Sequence, residues 1–233
     1  MTEKIDSYIN RLKEASSEEC IEFFTAKYPG EVIFATSLGA EDQVLTDIIR
    51  RIDKGVHFFT LDTGRLFQET YDLLDITEKK YGFKIRIFFP DALKIEEMVQ
   101  NKGINLFYNS VEDRKLCCNL RKIEPLNRAL SGMRVWIAGL RKDQSITRQN
   151  SGMIEWDETY RIIKVNPLIN WSAGQVWDYI RENKIPHNEL HNQGYSSIGC
   201  QPCTRAIQPG DNERDGRWWW ELPENRECGL HKK

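Results

Sequence analysis

The sequence lacks an excess of charge of either sign. Its 233 residues include 33 lysine and arginine side chains against 35 aspartate and glutamate side chains, a formal net charge of −2. A polybasic nucleic-acid binder and an acidic tail are both excluded, because each needs a surplus of one charge. Hydrophobic residues make up 40% of the chain, which is enough for a folded core and argues against intrinsic disorder.

Long apolar runs, repeats and low-complexity linkers are also missing. No run approaches the roughly 18 residues that a membrane-spanning helix needs. Residues 1–15 have neither the apolar stretch nor the cleavage site of a signal peptide. We therefore expect a cytoplasmic protein without a membrane segment. We predict one domain over 1–233, with N-terminal helices (1–30), an α/β core (31–185) and a C-terminal extension (186–233).

The core of the chain alternates between strand and helix patterns. The predicted strands lie at 31–37, 56–62, 84–90 and 134–140. The helices between them include one that is predicted to run through Cys117 to Leu130. Strands that alternate with helices of this length predict a mostly parallel sheet with helices on both faces, and so an α/β fold.

The loop after the first predicted strand has the composition of an anion site. Ser37, Leu38 and Gly39 offer a hydroxyl group and backbone donors at the start of a helix, which suits a phosphate or a sulfate. However, the loop lacks the lysine of a GxxxxGK[ST] motif, and Glu41 and Asp42 would repel an anion if they pointed inward. An ordinary βα loop accounts for this segment equally well.

Two further loops follow predicted strands. Asp62, with Gly64 close behind it, could accept hydrogen bonds from a ribose or an adenine group, although helix capping is an alternative role. Arg141 and Arg148 crowd the loop after the fourth strand, and guanidinium groups match phosphate and sulfate oxygens bidentately. A solvated basic loop is the alternative there.

The chain has six cysteines but no export signal, which favours metal ligation or thiol chemistry over disulfides. The CxxC pair Cys200 and Cys203 and the tandem pair Cys117 and Cys118 predict a four-thiolate site. Zinc and an iron–sulfur cluster are both chemically allowed. Adjacent cysteines in a helix point about 100° apart, which favours a larger [4Fe–4S] cube over one ion. Buried core sulfur and a redox dithiol remain as alternatives.

Cations and aromatic residues accompany these cysteines. Lys122 lies four residues after Cys118, so it should share a helix face with that candidate ligand and offset a cluster's negative charge. Arg214 and Arg217 come just before a run of three tryptophans. We expect the tryptophans to be packing anchors and the arginines to have another role.

The two remaining cysteines have different surroundings. Cys20 lies among predicted core residues and is expected to be a small buried hydrophobe. Cys228 lies on a short tail beside His231 and near arginines. Because only the thiolate attacks and cations favour it, Cys228 is a candidate nucleophile.

Six motifs, taken together, resemble the adenylyl-sulfate (APS) and PAPS reductase family. They are SLGAEDQVL, LDTGR, GLRKDQSITR, CCNLRKIEPL with GCQPCT, DNERDGRWWWE and ECGLH. The resemblance runs from about Val32 to His231 and implies a Rossmann-like adenine nucleotide α-hydrolase (PP-loop) fold. The combination of CC and CxxC is similar to the APS-using, cluster-bearing branch. The departures lie between motifs, for instance at 145–147 within the arginine loop.

The resemblance also implies roles for individual residues. The [4Fe–4S] ligands would be Cys117, Cys118, Cys200 and Cys203. The substrate-binding residues would be Ser37, Leu38, Gly39, Asp62, Gly64, Lys122, Arg141, Arg148, Arg214 and Arg217. Cys228 would be the catalytic nucleophile, with His231 close by.

The activity implied is thioredoxin-dependent reduction of adenosine 5′-phosphosulfate to sulfite and AMP through an S-sulfocysteine intermediate, in sulfate assimilation and cysteine biosynthesis. Thioredoxin or a similar dithiol would be the reductant, and homo-oligomers are common in the family. A PAPS or dual APS/PAPS reductase is an alternative. A non-catalytic, zinc-stabilised nucleotide-binding protein is another, but it leaves ECGLH without a role. A PP-loop ligase is disfavoured because the first loop lacks the required lysine.

Overall fold

The computed structural model describes residues 2–145, 148–222 and 226. Its α-helices are α1 (Thr2–Arg11), α2 (Ser17–Lys27), α3 (Ala40–Ile52), α4 (Gln68–Tyr81), α5 (Ala92–Lys102), α6 (Val111–Cys118), α7 (Glu124–Leu130) and α8 (Ala173–Glu182). Its strands are β1 (Val32–Ala35), β2 (His57–Leu61), β3 (Arg86–Phe88), β4 (Val135–Ile137), β5 (Ile154–Asp157) and β6 (Ile162–Val165). Each of the four predicted strands is confirmed and is shorter than its hydrophobic pattern.

The six strands form one sheet in the order β3-β2-β1-β4-β6-β5. Strand β1 pairs in parallel with β2 and β4, β4 pairs in parallel with β6, and β5 pairs antiparallel with β6. The predicted mostly parallel sheet is therefore confirmed. The chain reverses its direction of winding between β1 and β4, and ligands of such sheets bind beyond the carboxyl ends of the strands at this point.

The chain divides into two compact units. Unit 1 comprises Met1–Thr60, Asp72–Arg86 and Gly132–Asn188, and unit 2 comprises Leu61–Tyr71, Ile87–Ser131 and Glu189–Lys233. The core of unit 1 contains the fully buried Phe34, Ile137 and Cys20, the last as predicted. Unit 2 has a smaller core that includes Phe107, Trp218 and four cysteines.

The helix that carries the tandem cysteines changes its type along its length. Helix α6 ends at Cys118, and a π-helical segment, Asn119–Ile123, separates it from α7. Pro125 has no N–H to donate to the carbonyl of Arg121, and its ring would clash with that carbonyl in a regular α-helix. A π-helical turn removes this conflict, and such turns are frequent at functional sites. The predicted helix through Cys117 to Leu130 is therefore present, but it contains a π-helical turn that its periodicity did not indicate.

None of the helices in the described ranges is long and apolar enough to cross a membrane.

Candidate functional site

The loop between β1 and α3 in unit 1 has an unusual backbone conformation. Leu38 is buried and has a φ angle of 61°, in the left-handed region that bulky side chains avoid. Its N–H donates to the hydroxyl group of Thr36 over 3.0 Å, which helps to hold the turn. A strained residue of this kind persists only where its surroundings enforce it, and such residues cluster at functional sites.

Both carboxylates that follow this loop point into it. Asp42 accepts hydrogen bonds from the backbone N–H of Ser37 over 2.6 Å and from its hydroxyl group over 2.7 Å. Glu41 accepts a hydrogen bond from Nε of Arg141 over 2.7 Å. The chain's own carboxylate therefore occupies the two donors of Ser37 that were expected to meet an anion.

The two arginines of the loop after β4 are buried. Arg141 is 1% exposed and Arg148 is 9% exposed, so a solvated basic loop does not describe them. Arg148 donates to the side chain of Gln144, which also accepts the backbone N–H of Arg141. Arginines and carboxylates from neighbouring strand ends thus form one charged group, which we call the loop site (36–42, 139, 141, 144 and 148).

Burial raises the pKa of Asp42 to about 6, although hydrogen bonds from Ser37 and the charge of Arg148 oppose the shift. The folded-state pKa lies above the ordinary value of 3.8, so the fold favours the protonated form and the ionised form costs stability. This cost is absent below about pH 4 and is complete above about pH 6.

Asp42→Asn should therefore gain stability relative to the wild type as the pH rises from 4 to 7, by about 3 kcal/mol. Asparagine keeps an oxygen that can accept a hydrogen bond from Ser37 but carries no charge. Urea unfolding of both proteins across this range measures the difference. A difference that is constant with pH would contradict the assignment.

Gly139 faces Asp42 at the end of β4. A Cβ atom at this position would lie 2.2 Å from Oδ1 of Asp42 and 3.3 Å from its Cγ. We expect Gly139→Ala to destabilise the protein by about 1–3 kcal/mol, because the buried carboxylate cannot move without losing its bonds to Ser37. Gly174→Ala is the matched control, since its nearest neighbour is Oγ of Ser172 at 3.7 Å. Equal thermal unfolding midpoints for both variants would contradict this prediction.

Unit 2 contains a cavity that brings the two cysteine pairs together, which we call the cysteine cavity. Its lining consists of four cysteines, five cations and three other side chains. The lining residues are Arg65, Phe107, Arg114, Cys117, Cys118, Arg121, Lys122, Cys200, Pro202, Cys203, Arg217 and Trp218.

The CxxC pair lies on a short 3₁₀ turn over Gln201–Cys203. The hydroxyl group of Thr63 is 3.2 Å from Sγ of Cys200, and the backbone N–H of Trp218 donates to the carbonyl of Cys203 over 3.2 Å. Gly199 allows close approach here, because a Cβ atom would lie 2.2 Å from Nη2 of Arg217. Glycine at position 199 thus leaves room for the guanidinium group of Arg217.

The thiols of the cavity differ in their electrostatic surroundings. Burial raises the pKa of Cys203 to about 12 and also raises that of Cys117. Burial acts on Cys200 in the same direction, but the charge of Lys122 and the hydrogen bond from Thr63 outweigh it, so its pKa is lowered. The surrounding cations therefore favour a thiolate at Cys200.

The other predicted residues of unit 2 have mixed surroundings. Asp62 accepts hydrogen bonds from the N–H of Gly64 over 2.7 Å and from the hydroxyl group of Tyr71 over 2.9 Å, so it stabilises its own turn. Gly64 has a φ of 70°, which glycine adopts without strain. The guanidinium group of Arg214 lies 6.0 Å from the ring centroid of Trp218. Arg214 and Arg217 thus pack on the tryptophan that lines the cavity.

Cys228 and His231 lie outside the described residues, as do 146–147 of the arginine loop. Their roles stay predictions. Arg226 is described, and it donates from Nε to the carbonyl of Glu221 over 3.0 Å and from Nη1 to Oδ1 of Asp215 over 3.0 Å.

The sequence did not single out Arg114 and Glu221, which form a buried ion pair at the cysteine cavity. Arg114 is four residues before Cys118, and the spacing rule that selected Lys122 after the cysteine could have found it before the cysteine. Glu221 has no comparable sequence signal, because only the fold brings it to α6.

The cavity has the chemistry of a site for an anionic, sulfur-ligated group. In the described ranges, the buried Nε atoms of Arg121 and Arg217 and the indole Nε1 of Trp218 have no hydrogen-bond partner. Four thiols, three unsatisfied donors and five cations suit a cluster whose ligated sulfurs carry negative charge. Among the described residues, no group of three or more His, Cys, Asp or Glu side chains is arranged to hold a single metal ion.

Comparison with known proteins identifies the family. The profile of the phosphoadenosine phosphosulfate reductase domain matches residues 31–206. The chain belongs to this reductase family. Adenosine 5′-phosphosulfate reductase of Allochromatium vinosum is 52% identical over 202 residues, which cover 87% of this chain and 79% of that protein.

Solved structures agree with the reductase-family assignment. The phosphate complex of phosphoadenylyl-sulfate (PAPS) reductase from Candida auris has a TM-score of 0.76 at 32% identity, over 89% of this chain and 98% of that one. FMN adenylyltransferase of Candida glabrata has a TM-score of 0.56 at 16% identity, over 99% and 76% of the two chains. The second likeness shows the fold alone, and it is a fold shared with nucleotide-dependent enzymes outside the reductase family.

Proposed function

We propose that the chain is an adenylyl-sulfate reductase, an oxidoreductase that converts adenosine 5′-phosphosulfate and a dithiol into sulfite, AMP and a disulfide. The observation that carries the proposal is the cysteine cavity, in which both cysteine pairs meet five cations. The relatives named adenosine 5′-phosphosulfate reductase supply the substrate class.

We propose that Cys117, Cys118, Cys200 and Cys203 hold a [4Fe–4S] cluster. When bound, the cluster supplies a polarisable, negatively charged surface that orders the surrounding cations. Lys122 acts on Cys200 and lines the same cavity, so it is suited to hold a sulfate oxygen of the substrate beside the ligands. The reaction below needs no electron from the cluster, because the dithiol supplies both electrons.

The nucleotide contacts that we propose are those implied by the family's motifs. The proposed contacts are Ser37, Leu38, Gly39, Asp62, Gly64, Lys122, Arg141, Arg148, Arg214 and Arg217. Because Asp42 already accepts both donors of Ser37, this loop suits an uncharged part of the nucleotide better than a phosphate. Arginines suit the phosphosulfate, since their charge stabilises the leaving phosphate.

In the first step, the thiolate of Cys228 attacks the sulfur atom of the sulfate group. The Cys228 S–S bond forms as the bond from sulfur to the phosphate oxygen breaks, so AMP leaves and an S-sulfocysteine remains. His231 is suited to accept the proton of the thiol beforehand.

In the second step, a thiolate of thioredoxin or a similar dithiol protein attacks Sγ of Cys228. Sulfite leaves, and the mixed disulfide is resolved by the second thiol of the reductant, which becomes a disulfide. A tail thiol suits this sequence because it must meet a bound nucleotide and then an outside protein. Reduced dithiol partners are characteristic of the cytoplasm, where we place the enzyme.

Anaerobic purification followed by a sulfite assay with thioredoxin tests the proposal. We expect a brown protein, with sulfite formed from adenosine 5′-phosphosulfate faster than from PAPS. Faster turnover of PAPS would reverse the substrate assignment. A colourless protein with stoichiometric zinc and no turnover would support the non-catalytic alternative.

A further inference from the structure

We propose that the buried ion pair between Arg114 and Glu221 is a positioning pair that holds the tandem-cysteine helix to the segment behind the CxxC turn. The pair would keep the four ligands in one geometry. This inference deepens the proposed function and rests on it for the identity of the bound cluster.

The pair has the geometry of a rigid connection. Nε and Nη2 of Arg114 donate to the two carboxylate oxygens of Glu221 over 2.9 and 2.8 Å. The two side chains are 0% and 3% exposed. A bidentate guanidinium–carboxylate pair fixes both distance and orientation, whereas a lysine would fix only distance.

Arg114 connects the pair to the tandem cysteines. It lies on α6, three residues before Cys117 and four before Cys118, so it is one helical turn away from both. It lines the cysteine cavity together with Cys118. A displacement of Arg114 would therefore be transmitted to a ligand.

Glu221 connects the pair to the second cysteine pair. Its N–H donates to the carbonyl of Trp218 over 2.9 Å, and the N–H of Trp218 donates to the carbonyl of Cys203 over 3.2 Å. Trp218 also lies 5.0 Å from the guanidinium group of Arg114 and has a φ of 44°. A non-glycine residue in this conformation needs surroundings that hold it, and the guanidinium group of Arg114 is part of those surroundings.

The same segment contacts one described residue that is close to the proposed nucleophile in sequence. The carbonyl of Glu221 accepts Nε of Arg226, which is two residues before Cys228. One buried ion pair thus connects the helix of the tandem cysteines with the segment that contacts both Cys203 and Arg226.

Stability alone does not account for such a pair. Removing two charges from water is costly, and a well-packed apolar pair of similar volume often gives equal or greater stability. A buried polar pair is better suited to specifying one arrangement out of several. When one partner is replaced by a neutral residue, the other remains as an uncompensated buried charge. A single substitution should therefore disturb the arrangement more than a double one.

The test compares iron release from anaerobically purified wild-type holoenzyme, Arg114→Gln, Glu221→Gln and the double variant. Each protein is mixed with a ferrous-iron chelator well below its unfolding temperature, and the release is followed by absorbance. Arg114→Lys is included because it keeps the positive charge but cannot form the bidentate pair with the carboxylate. The matched control is Asp113→Asn, which removes the neighbouring ion pair with Lys102 on the same helix.

We expect both single neutral variants to release iron about tenfold faster than the wild type or more. Arg114→Lys should be intermediate, the double variant slower than either single variant, and Asp113→Asn like the wild type. The KM for adenosine 5′-phosphosulfate should change little while kcat falls. Wild-type release rates in both single variants would overturn the proposal, as would equally fast release from Asp113→Asn.

This result is separable from the proposed function, which is measured on the wild type. If the wild type held iron but formed no sulfite, the proposed activity would be contradicted and the proposal of a positioning pair would be unaffected. If the wild type formed sulfite and the variants kept their iron, the activity would stand and the positioning pair would be contradicted.

Discussion

Cys228→Ser is expected to abolish the covalent sulfo-enzyme and to lower sulfite formation by more than about a thousandfold. A serine hydroxyl group stays protonated at neutral pH, so the variant offers no anionic sulfur to attack the sulfate. Substrate binding should persist, because none of the proposed nucleotide contacts is altered. The expected result is a protein that binds adenosine 5′-phosphosulfate and does not turn it over.

Intact-protein mass spectrometry after incubation with the nucleotide, without reductant, reads this step directly. The wild type should gain the mass of one SO₃ group, and Cys228→Ser should gain none. Cys20→Ala is the matched control, since Cys20 is fully buried in the core of unit 1. A sulfonate that still formed on Cys228→Ser would show that another residue is the nucleophile.

Cys203→Ser is expected to cause the second large effect, the loss of the cluster. A cluster iron needs a thiolate ligand, and serine at this buried position supplies only a neutral hydroxyl group. Iron and sulfide should fall from the full complement to near background after anaerobic purification. The thermal unfolding midpoint should fall as well, because a bound metal group stabilises the fold that holds it.

Iron, acid-labile sulfide and zinc are measured together on the wild type, Cys203→Ser and Cys20→Ala. The core variant should keep the full cluster. If the wild type held one zinc ion and no sulfide, the four cysteines would be a structural zinc site. If Cys203→Ser kept all its iron, Cys203 would not be a ligand.

Local patterns predicted most of the fold. The alternation of apolar strand runs with helix patterns was sufficient for the parallel sheet, because a strand covered on both faces must be apolar along its whole length, as Val135–Ile137 are. The same reasoning did not indicate the change of helix type after Cys118. Helical periodicity carries no record of a proline that acts four residues upstream, so the π-helical turn before Pro125 was missed.

The candidate site shows a similar division. The spacing of Cys200 and Cys203 predicts a metal-ligand pair, since ligand chemistry restricts that spacing directly. The sequence could not show whether the side chains of Glu41 and Asp42 point into the loop. A carboxylate in the first turn interacts favourably with the helix dipole in either orientation. In the structure, Asp42 accepts both donors of Ser37.

The sequence by itself determined the class of fold, the family motifs and the four sulfur ligands to be expected, since these depend on short-range patterns and on ligand chemistry. Only the tertiary structure decided which residues surround those four cysteines. Arg114 and Glu221 are 107 residues apart, and their pairing depends on the packing of a second core. Contacts between residues so far apart in sequence depend on the whole fold, so no local sequence pattern predicts them.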